Sequence, residues 1–179
     1  MPVILRNSPF YDHPTTAEFS GRSVAVKRDQ IIVWVSLSEM GSPEFDSRTP
    51  KVPAILDTAC NHSFVIRERQ LIDWAGIHPE FRHRLGSTRL HGNLVPQLAG
   101  NVWLHQNQPG QRDEFSARPP FRLETNRGIA VVPETENAGH PRLPLLGLPA
   151  LRWNHLLLSL DGDRSRITIR TRRRFWFFG

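Results

Sequence analysis

The chain has 179 residues, a length suited to one domain with an arm or long loops. Hydrophobic residues make up 39%, enough for a core, and no apolar run approaches the roughly 20 residues of a membrane span. The single cysteine, Cys60, excludes an internal disulfide and a cysteine-rich zinc site. The net charge is +6, carried almost wholly by arginine and spread along the chain, with one cluster at Arg170, Arg172, Arg173 and Arg174 beside Phe175, Trp176, Phe177 and Phe178. That pattern reads as a terminal strand with solvated arginines and a buried aromatic end, in preference to a nucleic-acid interface. The start, MPVILRNSPFYDHP, lacks the layout of a secretion signal, so the expectation is a soluble, cytoplasmic protein.

Fifteen prolines and twelve glycines, with few long helical periods, predict a mainly β protein with one or two short helices. Residues 1–29 carry no strong period and read as an N-terminal arm or loop-rich lead-in to a single domain over 30–179. Ile31 to Leu37, IIVWVSL, is a β-branched run and a predicted strand; 38–50 is a loop rich in turn formers. Val52 to Leu56 is the next strand and stops at Asp57. Arg67 to Ala75 has helical character, with Leu71, Ile72 and Ala75 on one side and Gly76 as the C-cap. Paired strands are expected between Ser87 and Gln106, with a tight turn at Gly92-Asn93. After a loop over 107–120, GIAVV at 128–132 reads as a short strand and 133–142 as a polar loop. Leu143 to Gly147 is an apolar strand, Leu148 to Trp153 a short helix with Pro149 in its first turn, and Leu156 to Leu160 with Arg164 to Arg170 a hairpin around Asp161-Gly162-Asp163.

One residue breaks this pattern of apolar strands and polar loops. In VPAILDTACNHSFVI, residues 52–66, Asp57 interrupts an otherwise apolar run. A lone carboxylate in such surroundings is costly unless it is hydrogen-bonded, paired or protonated, so it belongs to a structural network or to a working site. One carboxylate is a weak hydrolytic catalyst. Two that share a proton can act together, one taking a proton from water while the other donates to a carbonyl oxygen. Asp12, Asp29, Asp46, Asp73, Asp113, Asp161 and Asp163 all lie in loop, turn, polar or helical contexts, and none repeats the apolar-Asp-Thr pattern. A partner for Asp57 would therefore be Asp57 of a second copy, met across a twofold axis.

AILDTACNHSFV resembles the active-site segment of the retropepsin-like aspartic proteases, an apolar strand ending in Asp-Thr/Ser-Gly-Ala. LPLLGLPALRWNHLLLSLDGDRSRITI, further on, resembles the second signature of that family, and LHGNLVPQLAGNVWL stands where its members carry the flap hairpin. The resemblance spans about residues 30 to 170. It implies a closed, barrel-like β fold, a homodimer, a polypeptide substrate and no cofactor or metal. It further implies that Asp57 activates the attacking water and that Thr58 hydrogen-bonds across the dimer axis. Ala59 and Cys60 would then line the substrate channel, with His91, Gly92 and Asn93 in the flap. The chain departs from the family pattern at Ala59, where glycine is usual. That departure raises an alternative: a catalytically inactive module of the same fold that holds an extended peptide by strand addition.

Other sites are less well supported. Cys60 and His62 stand two apart, which invites a thiol–imidazole reading, but no acid is evident to orient the imidazole and a lone cysteine usually serves as a small buried apolar residue. The eight histidines show no metal-ligand spacing, and no glycine-rich phosphate loop occurs. Trp74, Trp103 and Trp153 read as core, and the aromatic end at Phe175 to Phe178 as a candidate subunit contact.

Overall fold

The computed structural model describes residues 2–41, 44–125, 127–134 and 143–172. Its strands are β1 (Val3–Pro9), β2 (Thr15–Phe19), β3 (Arg22–Val26), β4 (Ile32–Ser38), β5 (Val52–Asp57), β6 (Phe64–Arg67), β7 (Arg84–Leu90), β8 (Asn93–Leu98), β9 (Asn101–Leu104), β10 (Phe121–Leu123), β11 (Ile129–Val132), β12 (Leu145–Gly147), β13 (Leu156–Asp161) and β14 (Arg166–Thr171). Two helices, α1 (Glu68–Ala75) and α2 (Leu148–Trp153), complete the regular structure with a 3-10 turn at Pro79–Phe81. The protein is mainly β, and among the described residues no helix is long and apolar enough to cross a membrane.

Nine strands form one sheet in the order β10-β9-β4-β5-β12-β6-β11-β8-β7. The expected closed barrel is not formed: the sheet ends at β10 on one side and β7 on the other, and these edges do not pair. Closure needs two edge strands long enough to zip together, and β10 has only three residues. A three-stranded sheet, β1-β14-β13, and the β2-β3 hairpin pack against the large sheet.

The alternation of strand side chains sorts the core into two layers. Val33, Val35 and Leu37 of β4, Ala54 and Leu56 of β5, and Phe64 and Ile66 of β6 face one layer, with Ile4, Leu5, Ile167 and Ile169 of the smaller sheet and Leu71 of α1. Ile32 and Trp34, Ile55, and Val65 face the other, with Ala17, Phe19 and Val26 of the hairpin. β4, β5 and β6 are thus covered on both faces, which explains why they read as continuous apolar runs.

Residues 1–29, expected as an arm, instead hold three strands that complete both layers. The missed signals are physical. Register shifts interrupt the β1–β14 ladder, and Asn7 adopts a positive φ of 48°, so β1 shows no clean alternation. The β2-β3 turn is Ser20-Gly21, with φ of 46° and 72°, a two-residue hairpin turn that a Ser-Gly pair marks. The hairpin is tied down by Arg112, which is 7% exposed. Its guanidinium donates from Nε and Nη2 to the Asp113 carboxylate at 2.8 and 2.7 Å, from Nη1 to Thr15 Oγ1 at 3.0 Å and from Nη2 to the Thr16 carbonyl. Asp113 also accepts from Trp34 Nε1 at 3.0 Å, so a buried cation that donates from all three of its nitrogens links hairpin, loop and sheet.

A second buried polar pair sits between β4 and the end of β9. Ser36 Oγ donates to the Pro50 carbonyl at 2.8 Å, so the His105 Nε2 2.8 Å away must donate to Ser36. Burial, with the Lys51 charge adding to it, holds the His105 imidazole at a pKa of about 4. The unfolded chain, with histidine near its usual 6.5, takes up this proton first as pH falls. Stability is therefore complete above about pH 6.5 and declines as pH falls towards 4, by roughly 1–3 kcal/mol. Urea midpoints measured across this window will fall for the wild type and change less for His105→Gln.

Candidate active site

Asp57 is the last residue of β5, a strand flanked by β4 and β12. Leu56 turns into one core layer, so Asp57 falls on the face of Ile55 at the point where the sheet ends. The chain then reverses. Cys60 N–H donates to the Asp57 carbonyl at 3.2 Å, and Ala59 N–H donates to Asp57 Oδ1 at 2.9 Å. The carboxylate thus closes an Asx-type turn with one oxygen. Its Oδ2 has no hydrogen-bond partner among the described residues, and the residue is half-buried. Ala59 has an ordinary negative φ, so its Cβ imposes no backbone strain on the turn.

The turn is fixed from below by β12. Leu145, Leu146 and Gly147 run parallel to Ile55, Leu56 and Asp57, while Leu145 and Leu146 pair antiparallel with Val65 and Phe64. Gly147 N–H donates to the Ser63 carbonyl at 3.1 Å. A Cβ on Gly147 would lie 2.0 Å from the His62 carbonyl oxygen and 2.8 Å from that of Cys60. Here glycine serves close backbone approach, because its φ of −93° is open to any residue.

Asp57 opens on a cleft of about 920 Å³. It is lined by the 57–63 turn, β7 and the hairpin tip, α2, and Leu145 and Ala130 of the sheet. Asp57 is the sole carboxylate among the described lining residues, which include Arg89, Arg127 and Arg152. Ala59, Cys60 and His91 of the expected site line the cleft; Thr58, Gly92 and Asn93 do not. Thr58 is exposed on the turn, and its hydroxyl has no partner among the described residues.

The hairpin itself differs from the expected one. It spans Arg84 to Leu98, and its two-residue turn is His91-Gly92, with φ of 49° and 89°, one residue before the expected Gly92-Asn93. Residues 101–104, expected in the same unit, form β9 and pair with β4 and β10 instead. The hairpin is joined to the Asp57 turn by His62. The Arg89 carbonyl can only accept, so His62 Nε2 carries the proton and donates across 3.2 Å. Burial lowers the His62 pKa, and the nearby charges of Arg127 and His91 lower it further, favouring the neutral ring.

Cys60 is buried, and its thiol lies 3.7 Å from the His62 carbonyl, not the imidazole. Burial raises its pKa, which opposes thiolate formation. Among the described residues no three His, Cys, Asp or Glu side chains lie together as a metal site would require. Trp103 is buried and Trp74 half-buried, but Trp153, expected in the core, is 42% exposed and borders the cleft. Arg89, Arg127 and Arg152 carried no signal in sequence, because they come from separate elements that only the fold assembles; His62 stands out there only beside Cys60, and Trp153 reads only as core. The aromatic end, Phe175 to Phe178, lies outside the described residues.

The Gly147 crossing makes a sharp prediction. Gly147→Ala forces backbone apart on both sides of the Asp57 turn and will cost about 3 kcal/mol or more. Gly162→Ala meets nothing closer than 3.9 Å and serves as the control, with a change below about 1 kcal/mol. Equal denaturant midpoints for the two variants would contradict the crossing. Comparison of the chain with protein families, curated proteins and solved structures yields no match.

Proposed function

We propose that this chain is one subunit of a homodimeric aspartic endopeptidase of the retropepsin-like type, hydrolysing peptide bonds without a cofactor. One observation carries the reading. A single carboxylate stands at the end of a strand buried on both faces, with one oxygen engaged by the turn and the other without a partner among the described residues, and it opens on a cleft beside a hairpin. No second described carboxylate lines that cleft, so the chemistry of a shared proton requires Asp57 from another copy.

Two such carboxylates brought close share one proton, because like charges at short range resist ionising together. The ionised one takes a proton from water as the water oxygen bonds to the peptide carbon. The protonated one donates to the carbonyl oxygen, giving a tetrahedral diol. Return of a proton to the amide nitrogen then breaks the C–N bond and releases acid and amine. The Thr58 hydroxyl, without a partner among the described residues, would bond across the axis, and the β7-β8 hairpin would exclude bulk water over a bound peptide.

The second reading, a module that binds peptides without cutting them, draws on Ala59, whose methyl group lines the cleft where a smaller residue would leave room. Both readings are tested with an unstructured polypeptide at mildly acidic pH. The peptidase reading expects cleavage by the wild type, a loss of at least about 100-fold in kcat/KM for Asp57→Asn, and specific activity that rises with protein concentration as dimers form. Turnover unaffected by Asp57→Asn removes this residue from the mechanism. Cleavage seen only in Ala59→Gly identifies the binding module.

A further inference from the structure

Among its described lining residues, the cleft gathers three arginines against a single carboxylate, Asp57. Arg89 enters from β7, Arg127 from the loop before β11 and Arg152 from α2. All three are exposed, and none makes an ion pair with a described residue; Arg152 sits over the Trp153 ring at 5.8 Å. Several surface arginines elsewhere are matched, as in Arg28–Asp29, Arg48–Asp46, Arg69–Asp73 and Arg164–Asp161, and what sets the cleft apart is that three lie around one concavity. Three unmatched guanidinium groups around a concave wall focus positive potential into it, against the one carboxylate of Asp57.

We infer that the cleft selects acidic polypeptide: an extended segment with Asp or Glu side chains on both sides of an apolar residue. The inference rests on the peptide-binding reading of the same site. Arginines carried by three separate elements, β7, the loop before β11 and α2, can each take a separate carboxylate, in the two-point geometry guanidinium favours. In the same lining, Leu145, Leu148 and the exposed Trp153 provide apolar wall for an intervening side chain. The same layout disfavours a nucleic-acid strand, whose continuous phosphates would pass the Asp57 carboxylate.

The test uses three fluorescent peptides of equal length that differ only in carrying Glu, Gln or Lys at the flanking positions. Anisotropy titrations are run with wild-type protein and with Asp57→Asn. The Glu peptide should bind about tenfold tighter than the Gln peptide at low salt, with the Lys peptide weakest, and the differences should shrink as salt is raised. Combining Arg89→Glu with Arg152→Glu should invert the order, whereas Arg48→Glu, outside the cleft, should leave it unchanged. Equal affinities for the three peptides overturn the inference, as does preference for a single-stranded oligonucleotide over the Glu peptide. Selective binding of the Glu peptide without cleavage upholds the charge selectivity and removes only the hydrolysis. Cleavage of all three peptides at equal kcat/KM does the reverse.

Discussion

The structure around the cleft depends on the passage of Gly147 beneath the carbonyls of Cys60 and His62. Strand β12 lies between β5 and β6, so the chain leaving β5 at Asp57 must bridge over the end of β12 before re-entering the sheet at Phe64. A bridge that short leaves no space for a side chain on the strand it crosses. The same geometry holds the bridge in place, since Gly147 N–H binds the Ser63 carbonyl and Cys60 N–H binds that of Asp57. The carboxylate is therefore placed by main-chain hydrogen bonds on both sides and does not depend on side-chain packing at an exposed turn. Such an arrangement joins segments far apart in sequence, so it forms only once the long-range parallel pairing of β5 with β12 is in place.

From that fixed turn, order spreads to the neighbouring elements. His62 links it to the Arg89 carbonyl of β7, so the hairpin beside the cleft is positioned by the same few residues that position the carboxylate. On the other layer, Phe19 packs edge-on against Trp74 and Trp34, with ring centroids 4.8 and 6.5 Å apart. The β2-β3 hairpin that carries Phe19 is held by Arg112. Removing it would expose Ile32, Trp34 and Ile55 on the face of the sheet that Asp57 shares. The first 29 residues therefore belong to the support of the site, although they contribute no residue to the cleft lining described.

How far the sequence disclosed this molecule follows from what each feature depends on. The β4, β5 and β6 runs, α1 with its Gly76 cap in the left-handed region at φ 68°, and the C-terminal hairpin were legible because their signals are local. Even there, the turn chemistry misled. The expected turn at Asp161-Gly162-Asp163 is displaced and longer: Asp161 pairs with Arg166, and β13 and β14 are joined by four residues, closed by Ser165 N–H to the Gly162 carbonyl, with Ser165 at a φ of 49°. β1 was hidden by its register shifts, and the open edges of the large sheet cannot be read from any window of residues. Asp57 itself was conspicuous as a charge in an apolar strand, and Gly147 stood in a recognisable apolar-Gly segment. The arginines of the cleft were not legible, since an arginine on a strand, a loop or a short helix looks alike whether it faces solvent or a cavity.

Ala59 shows why such a distinction matters. Read from sequence, a methyl group in place of glycine raises two separate concerns, a strained turn and a narrowed cleft. Its negative φ disposes of the first, because the turn that Asp57 closes is one an alanine adopts without cost. What remains is steric: a methyl group in the cleft lining, two residues from the carboxylate. A residue acting through volume alone alters which side chain fits next to Asp57, while leaving the turn and its main-chain bonds intact. Ala59 is on that account better understood as a determinant of what the cleft admits than as damage to the device that holds the carboxylate.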